Sequence, residues 1–422
     1  MTGGYPEHQA EPPPARIPFP GLRRLAPGDI RITDEQRAAY LRRYPRLGDP
    51  PADAVVAMIQ RLPPGHGRAL FDTALEHGID AVTDPPAELR DFFAALEEPY
   101  WLDAGQLDLA CRVTARTGLI GLAALAMLAL CGGYLAHRVT KPLVRTGNLE
   151  YMTPQRLAET VTWWLNVTTP SGMHRFAPGF KGVAQVRLTH ALVRAGMARR
   201  PDWDSAAWDL PLNNSQLAGT VMLFGVAPIA GSQVCGLHFT TAEKDAVYHL
   251  WRYVGHLIGV RPEILPSTEK DCWRMLGIQG DYEFLAPDGD SRRLAQALIH
   301  AIGPLVAGDS RGLGHDIYRA AATYLMCAYG HLVLGKDNAD LLGLPDRRWA
   351  QGAVIAGATL IGGIDSVRRL LPGMTRWCEI AGRRSQRAAT MRMTSTRQDG
   401  GHSRGVATPG RDSPRFQRPI AG

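Results

Sequence analysis

This sequence does without three things: cysteine pairs, known metal-ligand patterns and alternating strand patterns. Its 422 residues include six cysteines, at 111, 131, 235, 272, 327 and 378, with no C-x-x-C pair among them. That scatter excludes zinc-type spacing and covalent haem attachment, and it suits a reducing compartment. Neither a Walker A loop nor H-E-x-x-H occurs, so phosphate transfer and metalloprotease chemistry lose their usual support. Alternating apolar and polar runs are scarce and no repeat of 20–50 residues is present, which predicts an all-α fold. Gly-x-Ser-x-Gly occurs around Ser310 and Ser403, but a nucleophile elbow needs a strand before the serine. Ser310 follows a helical run that Pro304 is expected to break, and Ser403 lies near the end of the chain.

Most of the chain also lacks net charge. From Arg383 to Gly422 there are nine arginines against Asp399 and Asp412, which accounts for the whole formal charge of +7. The rest is formally neutral, so no nucleic-acid partner is expected, and residues 383–422 read as a solvated, disordered basic tail. The first 30 residues contain seven prolines and no apolar run of the length a secretory signal needs. They read as a loose arm, and a cytoplasmic protein is expected.

What is present is helix. "TDEQRAAYLRRY" opens with Thr33 as a cap and Gln36 three residues on. Residues 52–61, 68–78, 87–97 and 317–334 carry the helical period. "TPQRLAETVTWWLNV" places Thr153 at a cap and Pro154 at the first helical position, and "TTAEKDAVYHLWRYVGHLIGV" places Thr241 at a cap and Gly259 near its end. Gly118 to Ala136 is uncharged over 19 residues, which suits a buried helix and a membrane span alike. The division expected is an arm (1–30), a helical extension (31–97), a main domain (98–382) and the tail (383–422).

The densest chemistry lies in "VRLTHALVRAG". On a helix Val183, Val186, His190, Val193 and Met197 share one face, which puts the imidazole in an apolar stripe. A buried imidazole needs a hydrogen-bond partner or a metal. Arg187 and Arg194, three before and four after it, need anions: either carboxylates of a neighbouring helix or the propionates of a haem whose iron His190 holds. No second histidine or carboxylate four residues away completes a zinc or di-iron set.

With Arg187-Leu-Thr-His190-Ala-Leu-Val-Arg194 in view, the sequence resembles the MpaB and latex-clearing-protein family of haem b oxygenases. Arg156 and Thr160 match that family's arginine and threonine on the preceding helix. "WDLPLNNSQLAGTVMLFG", "WRYVGHLIGV" and "LLGLP" follow as its later blocks, in order, so that the likeness covers roughly residues 98 to 350. It implies a globin-like helical core with additional helices at both ends, non-covalent haem b, and His190 as iron ligand. Arg187 and Arg194 would then be cofactor-binding, Arg156 and Thr160 would act on molecular oxygen, and Gly118–Ala136 would be a buried helix. One position departs from the family: where the latex-clearing members have lysine, this chain has Glu159, either a base for an allylic proton or a solvated side chain. The expected activity is oxidation of a small apolar unsaturated substrate, isoprenoid or lipid-like, with cleavage of a C=C bond. The alternatives are a haem carrier or gas sensor, and a single-span membrane protein without haem.

Overall fold

Helices begin where the sequence supplies capping side chains. Thr33 Oγ1 accepts from the Gln36 amide at 3.1 Å and Gln36 Oε1 accepts from the Thr33 amide at 3.2 Å, the reciprocal pair that starts α1, Asp34–Arg43. The computed structural model describes residues 16–146, 149–307 and 312–402. Within them α2 (Pro50–Arg61), α3 (His66–His77) and α4 (Ala87–Ala94) complete an N-terminal group. The main body follows with α5 (Ala104–Arg116), α6 (Gly118–Ala124), α7 (His137–Arg145), α8 (Leu149–Val167), α9 (Pro178–Ala198) and the short α10 (Ser205–Trp208). It continues with α11 (Asn214–Val234), α12 (Thr241–Leu257), α13 (Glu269–Gly280) and α14 (Gly289–Ala307). The last helices are α15 (Leu313–Leu334), α16 (Lys336–Leu342), α17 (Arg348–Leu370) and α18 (Met374–His402). No β-strand occurs among the described residues, as the sequence predicts.

α11 is the core helix: residues around its whole circumference are buried, which explains its lack of a polar face. It packs on α12, α13, α6 and the segment after α6. The run expected as one helix over Gly118–Ala136 is instead three pieces. α6 passes into a π-helical stretch, Leu125–Cys131, and then a 3-10 turn, Gly132–Leu135. π-helical turns widen the backbone and recur at functional sites. Here the stretch faces the cavity described below.

From Arg16 on the N-terminal arm is docked, while residues 1–15 lie outside the described residues. Ile17, Phe19 and Leu22 are buried, Phe19 packs edge-on against Phe284, and the Pro18 carbonyl accepts from Asn338 Nδ2 at 2.9 Å. Proline forbids helix here but leaves carbonyls and apolar side chains free to dock. The tail boundary is also corrected, because α18 runs on through His402. Its buried Arg383 donates to the carbonyls of Cys111 and Thr168, and Gln386 Nε2 donates to those of Thr114 (3.1 Å) and Gly118 (3.2 Å). These donors tie α18 to α5, to the α5–α6 junction and to the end of α8, a role that basic local composition conceals. Gly382 permits the approach, since a Cβ there would stand 2.1 Å from the Ala115 oxygen.

Smaller shifts follow from tertiary packing. The cap of α12 is Thr240 with Glu243, one residue before the expected Thr241. α8 starts at Leu149, so Pro154 lies inside it, and α14 runs through Pro304 to Ala307. Ser310 and Ser403 lie outside the described residues.

Candidate active site

Two arginines fix the helix that carries the central histidine. Arg187 meets Asp49 in a fork, Nε to Oδ2 at 2.7 Å and Nη2 to Oδ1 at 2.8 Å, and gives a third bond to the Leu257 carbonyl at 3.3 Å. One turn on from His190, Arg194 donates from Nε (2.9 Å) and Nη2 (2.6 Å) to Asp53 Oδ1, and from Nη1 to the Leu212 carbonyl at 2.9 Å. Of the two anions left open for these arginines, the structure supplies carboxylates, from the start of α2. Neither arginine lines the cavity, so their assignment as direct cofactor ligands is corrected: they bind α9 to α2 and leave its other face free.

Two later stretches, Asn213–Gln216 and Gly255–Val260, serve the same junction. Gly259 ends α12 with φ +90°, and a Cβ on it would stand 2.4 Å from Asp49 Oδ2 and 3.0 Å from Arg187 Nε. Only glycine meets both the left-handed backbone and the close approach. Asn213 caps α11 by accepting from the Gln216 amide at 3.0 Å. Asn214 Nδ2 donates to the Gly259 carbonyl at 2.8 Å while its Oδ1 accepts from the Arg261 amide at 2.9 Å. "NNSQ" and "GHLIGV" are thus two halves of one clasp around the Arg187–Asp49 pair.

The free face of α9 opens on a cavity of about 410 Å³ lined by α7, α8, α9, α11, α12, α13 and the segment from Ala129 to Ala136. That volume lies within the range of small-molecule and cofactor sites. Its wall is mainly apolar, with an aromatic side where Trp163 meets Phe224 and Trp251 at ring separations of 5.4 and 5.9 Å. Five polar groups stand out on it: His190, Arg156, Thr160, Glu159 and Glu283.

His190 Nδ1 is sealed from solvent and has no hydrogen-bond partner. Burial, with the Arg194 charge adding to it and Asp49 opposing, pulls the imidazole down to about 4. At neutral pH it is an uncharged ring, the form that ligates a metal. Arg156 borders the same space with no carboxylate paired to it among the described residues, and its charge is felt by Tyr134, also on the wall. Thr160 reaches the cavity one turn later but donates its hydroxyl hydrogen to the Arg156 carbonyl at 2.7 Å. It therefore offers the cavity only acceptor lone pairs, whereas Arg156 is the donor. Glu159 stands exposed at the rim and accepts from Gln155 Nε2 at 2.7 Å.

Glu283 is a site residue that sequence reasoning missed. It follows α13 in "GDYEFLAPDG", which reads as a solvated turn, yet it is 1% exposed. Oε1 takes a long bond of 3.4 Å from Gln216 and Oε2 has no partner. Burial raises the carboxyl to about 7, against the pull of Arg138 and Gln216, with Asp209 pushing the same way as burial. The cavity therefore holds a carboxyl poised near neutrality as well as a neutral imidazole.

Residues 115–362 match the family model described as "ER-bound oxygenase mpaB/B'/Rubber oxygenase, catalytic domain". The chain is 22% identical over 284 residues to the "Rubber oxygenase" of Streptomyces sp. (strain K30), an alignment that takes in 65% of this chain and 63% of that protein. This chain thus spans a little under two thirds of its relative's length. In fold it is similar to the solved structure titled "Structure of Latex Clearing Protein LCP in the closed state", with a TM-score of 0.61 and 20% identity over 81% of this chain and 90% of the other.

Proposed function

Because the chain belongs to the family of mpaB-type and rubber oxygenase catalytic domains, and because one neutral imidazole faces an apolar cavity, we propose that it is a haem b-dependent oxygenase. The substrate class is a small apolar unsaturated molecule, isoprenoid or lipid-like, and the reaction is oxygenation with cleavage of a C=C bond. The observation that carries this reading is His190: a buried ring nitrogen without a partner among the described residues, held neutral, on the mainly apolar wall that also bears Arg156. A buried ring nitrogen without a partner on a cavity wall is a place where a ligand can bind.

The residues fit the group they would hold. His190 would hold the group's iron through a ring nitrogen, and Arg156 would offer a hydrogen-bond donor or a counter-charge to its anionic side chains. Haem b, when bound, supplies the activation of molecular oxygen. This chain's own part is to hold the substrate in a dry, mostly apolar space whose aromatic side suits a flat unsaturated chain. Thr160 orients its partners through its lone pairs, and Glu283 accepts or returns a proton near neutral pH. Glu159, at the rim, is the weaker candidate for that proton.

Oxygen uptake tests the reading. The purified, haem-loaded protein given a soluble oligo-isoprenoid under ¹⁸O₂ should consume oxygen and yield carbonyl products carrying the label. Oxygen consumption that is independent of every unsaturated apolar substrate offered would leave a haem carrier or sensor as the better account.

A further inference from the structure

α17 is built inside out. Facing inwards, Asp365 and Arg368 form a buried ion pair, Nε to Oδ1 at 2.6 Å, and Asp365 also accepts from the His238 amide at 3.0 Å. Facing outwards are Trp349, Ala353, Ala356, Leu360, Ile364 and Val367, spaced by three and four residues along one exposed stripe. Leu360 is 65% exposed, and Leu370 at the end of the helix is 80% exposed. A helix on the surface of a protein in water presents the opposite pattern. The patch extends beyond α17 to the neighbouring α15, where Leu313 and Ile317 are 79% and 61% exposed, and to Trp377 at the start of α18. Single exposed apolar residues need no explanation, but a contiguous face does.

Three features identify what covers it. Exposed arginines stand at both ends of the stripe, Arg347 and Arg348 at the start of α17, Arg369 in its last turn and Arg376 beyond it. Of the eight arginines from Arg347 to Arg387, Arg368 and Arg383 are buried and six are exposed, against Glu379 alone once Asp365 is turned inward. Trp349 and Trp377 sit near those same two ends, where amphipathic rings favour a headgroup boundary. Finally, the groove between α17 and the start of α18, about 1100 Å³ and lined by Leu360, Ile364, Val367, Met374 and Trp377, offers acyl chains a place to lodge.

We propose that the outward face of α17, with the N-terminal half of α15 and the start of α18, docks on an anionic lipid bilayer, lying in the interface rather than crossing it. The inward Asp365–Arg368 pair keeps α17 on the protein, and the flanking arginines meet lipid phosphates. A second copy is the poorer occupant, because a two-fold contact through this face would bring arginine-rich ends against each other. The inference does not depend on the oxygenase reading.

The test is flotation of the full-length protein with vesicles of phosphatidylcholine alone and of phosphatidylcholine with phosphatidylglycerol. The protein should float with the anionic vesicles, less so at high salt, and partition at least about tenfold more weakly with L360E/I364E, whose thermal unfolding should match the parent's. Should that variant fail to fold, brominated-acyl vesicles should quench the parent's tryptophan fluorescence through Trp349 and Trp377. Absence of both flotation and quenching overturns the proposal. So does a lipid-free dimer at micromolar concentration that L360E/I364E converts to monomer, since the face would then belong to a second copy.

Discussion

Asp49 and Arg187 lie 138 positions apart and meet in a buried two-bond fork, three residues before the histidine that faces the cavity. The N-terminal helices are therefore part of the site's foundation: α2 holds α9 through Asp49 and Asp53, and the geometry of His190 depends on both.

Breaking that fork from one side should be costly. Asp49→Asn leaves the Arg187 guanidinium buried without its counter-charge, and about 3–5 kcal/mol of unfolding free energy should be lost in denaturant titration. The double change Asp49→Leu with Arg187→Met should recover much of it. A loss below about 1 kcal/mol for Asp49→Asn would show that the pair is not structural.

Arg156 should be dispensable for the fold and needed for turnover. Arg156→Met removes a cation that has no carboxylate partner among the described residues, so the ligand-free protein should melt at the same temperature or higher. Turnover should fall by about 10²–10³ if the guanidinium stabilises charge on oxygen. Thr160→Ala should keep haem and lower turnover less, because the hydroxyl hydrogen is already committed to the Arg156 carbonyl at 2.7 Å. Parent-like turnover in both variants would remove α8 from the chemistry.

Glu283 gives stability a definite pH dependence. Its carboxyl is raised to about 7 in the fold from the ordinary 4.5, so between those values the unfolded chain is ionised while the fold holds the proton. Stability from this group is full below about 4.5, declines as pH rises through about 7, and then stays level, a change on the order of 3 kcal/mol. Glu283→Gln should flatten that slope and raise stability at pH 8. His137, Arg138, Asp209 and Tyr282 surround the same turn, so comparison of the parent with this variant, by denaturant titration from pH 4 to 8, is what isolates the carboxyl. An unchanged slope would place the titration on another group.

Local chemistry made much of this fold legible, and long-range chemistry hid the rest. The Thr33–Gln36 cap, the stripe through Val186 and His190, and the pairing of Arg156 with Thr160 on one helix face all depend on residues within a turn or two of each other. The anions of Arg187 and Arg194, the docking of Phe19 and the burial of Arg383 depend on partners over 100 residues away. Glu283 was hidden for a different reason. Its neighbours read as a turn, and only the packing of α11, α13 and the arm around it excludes water.

The account rests on His190, and the absorption spectrum of the purified protein tests it most directly. After expression with haem supplied, the parent should show a Soret band that persists through gel filtration. His190→Ala should lose most of that band while keeping the parent's far-ultraviolet helical signal, because Arg187 and Arg194 still hold α9 to α2. A parent protein that never retains haem, or a His190→Ala protein with an unaltered Soret band, would contradict the assignment of this cavity as a haem site.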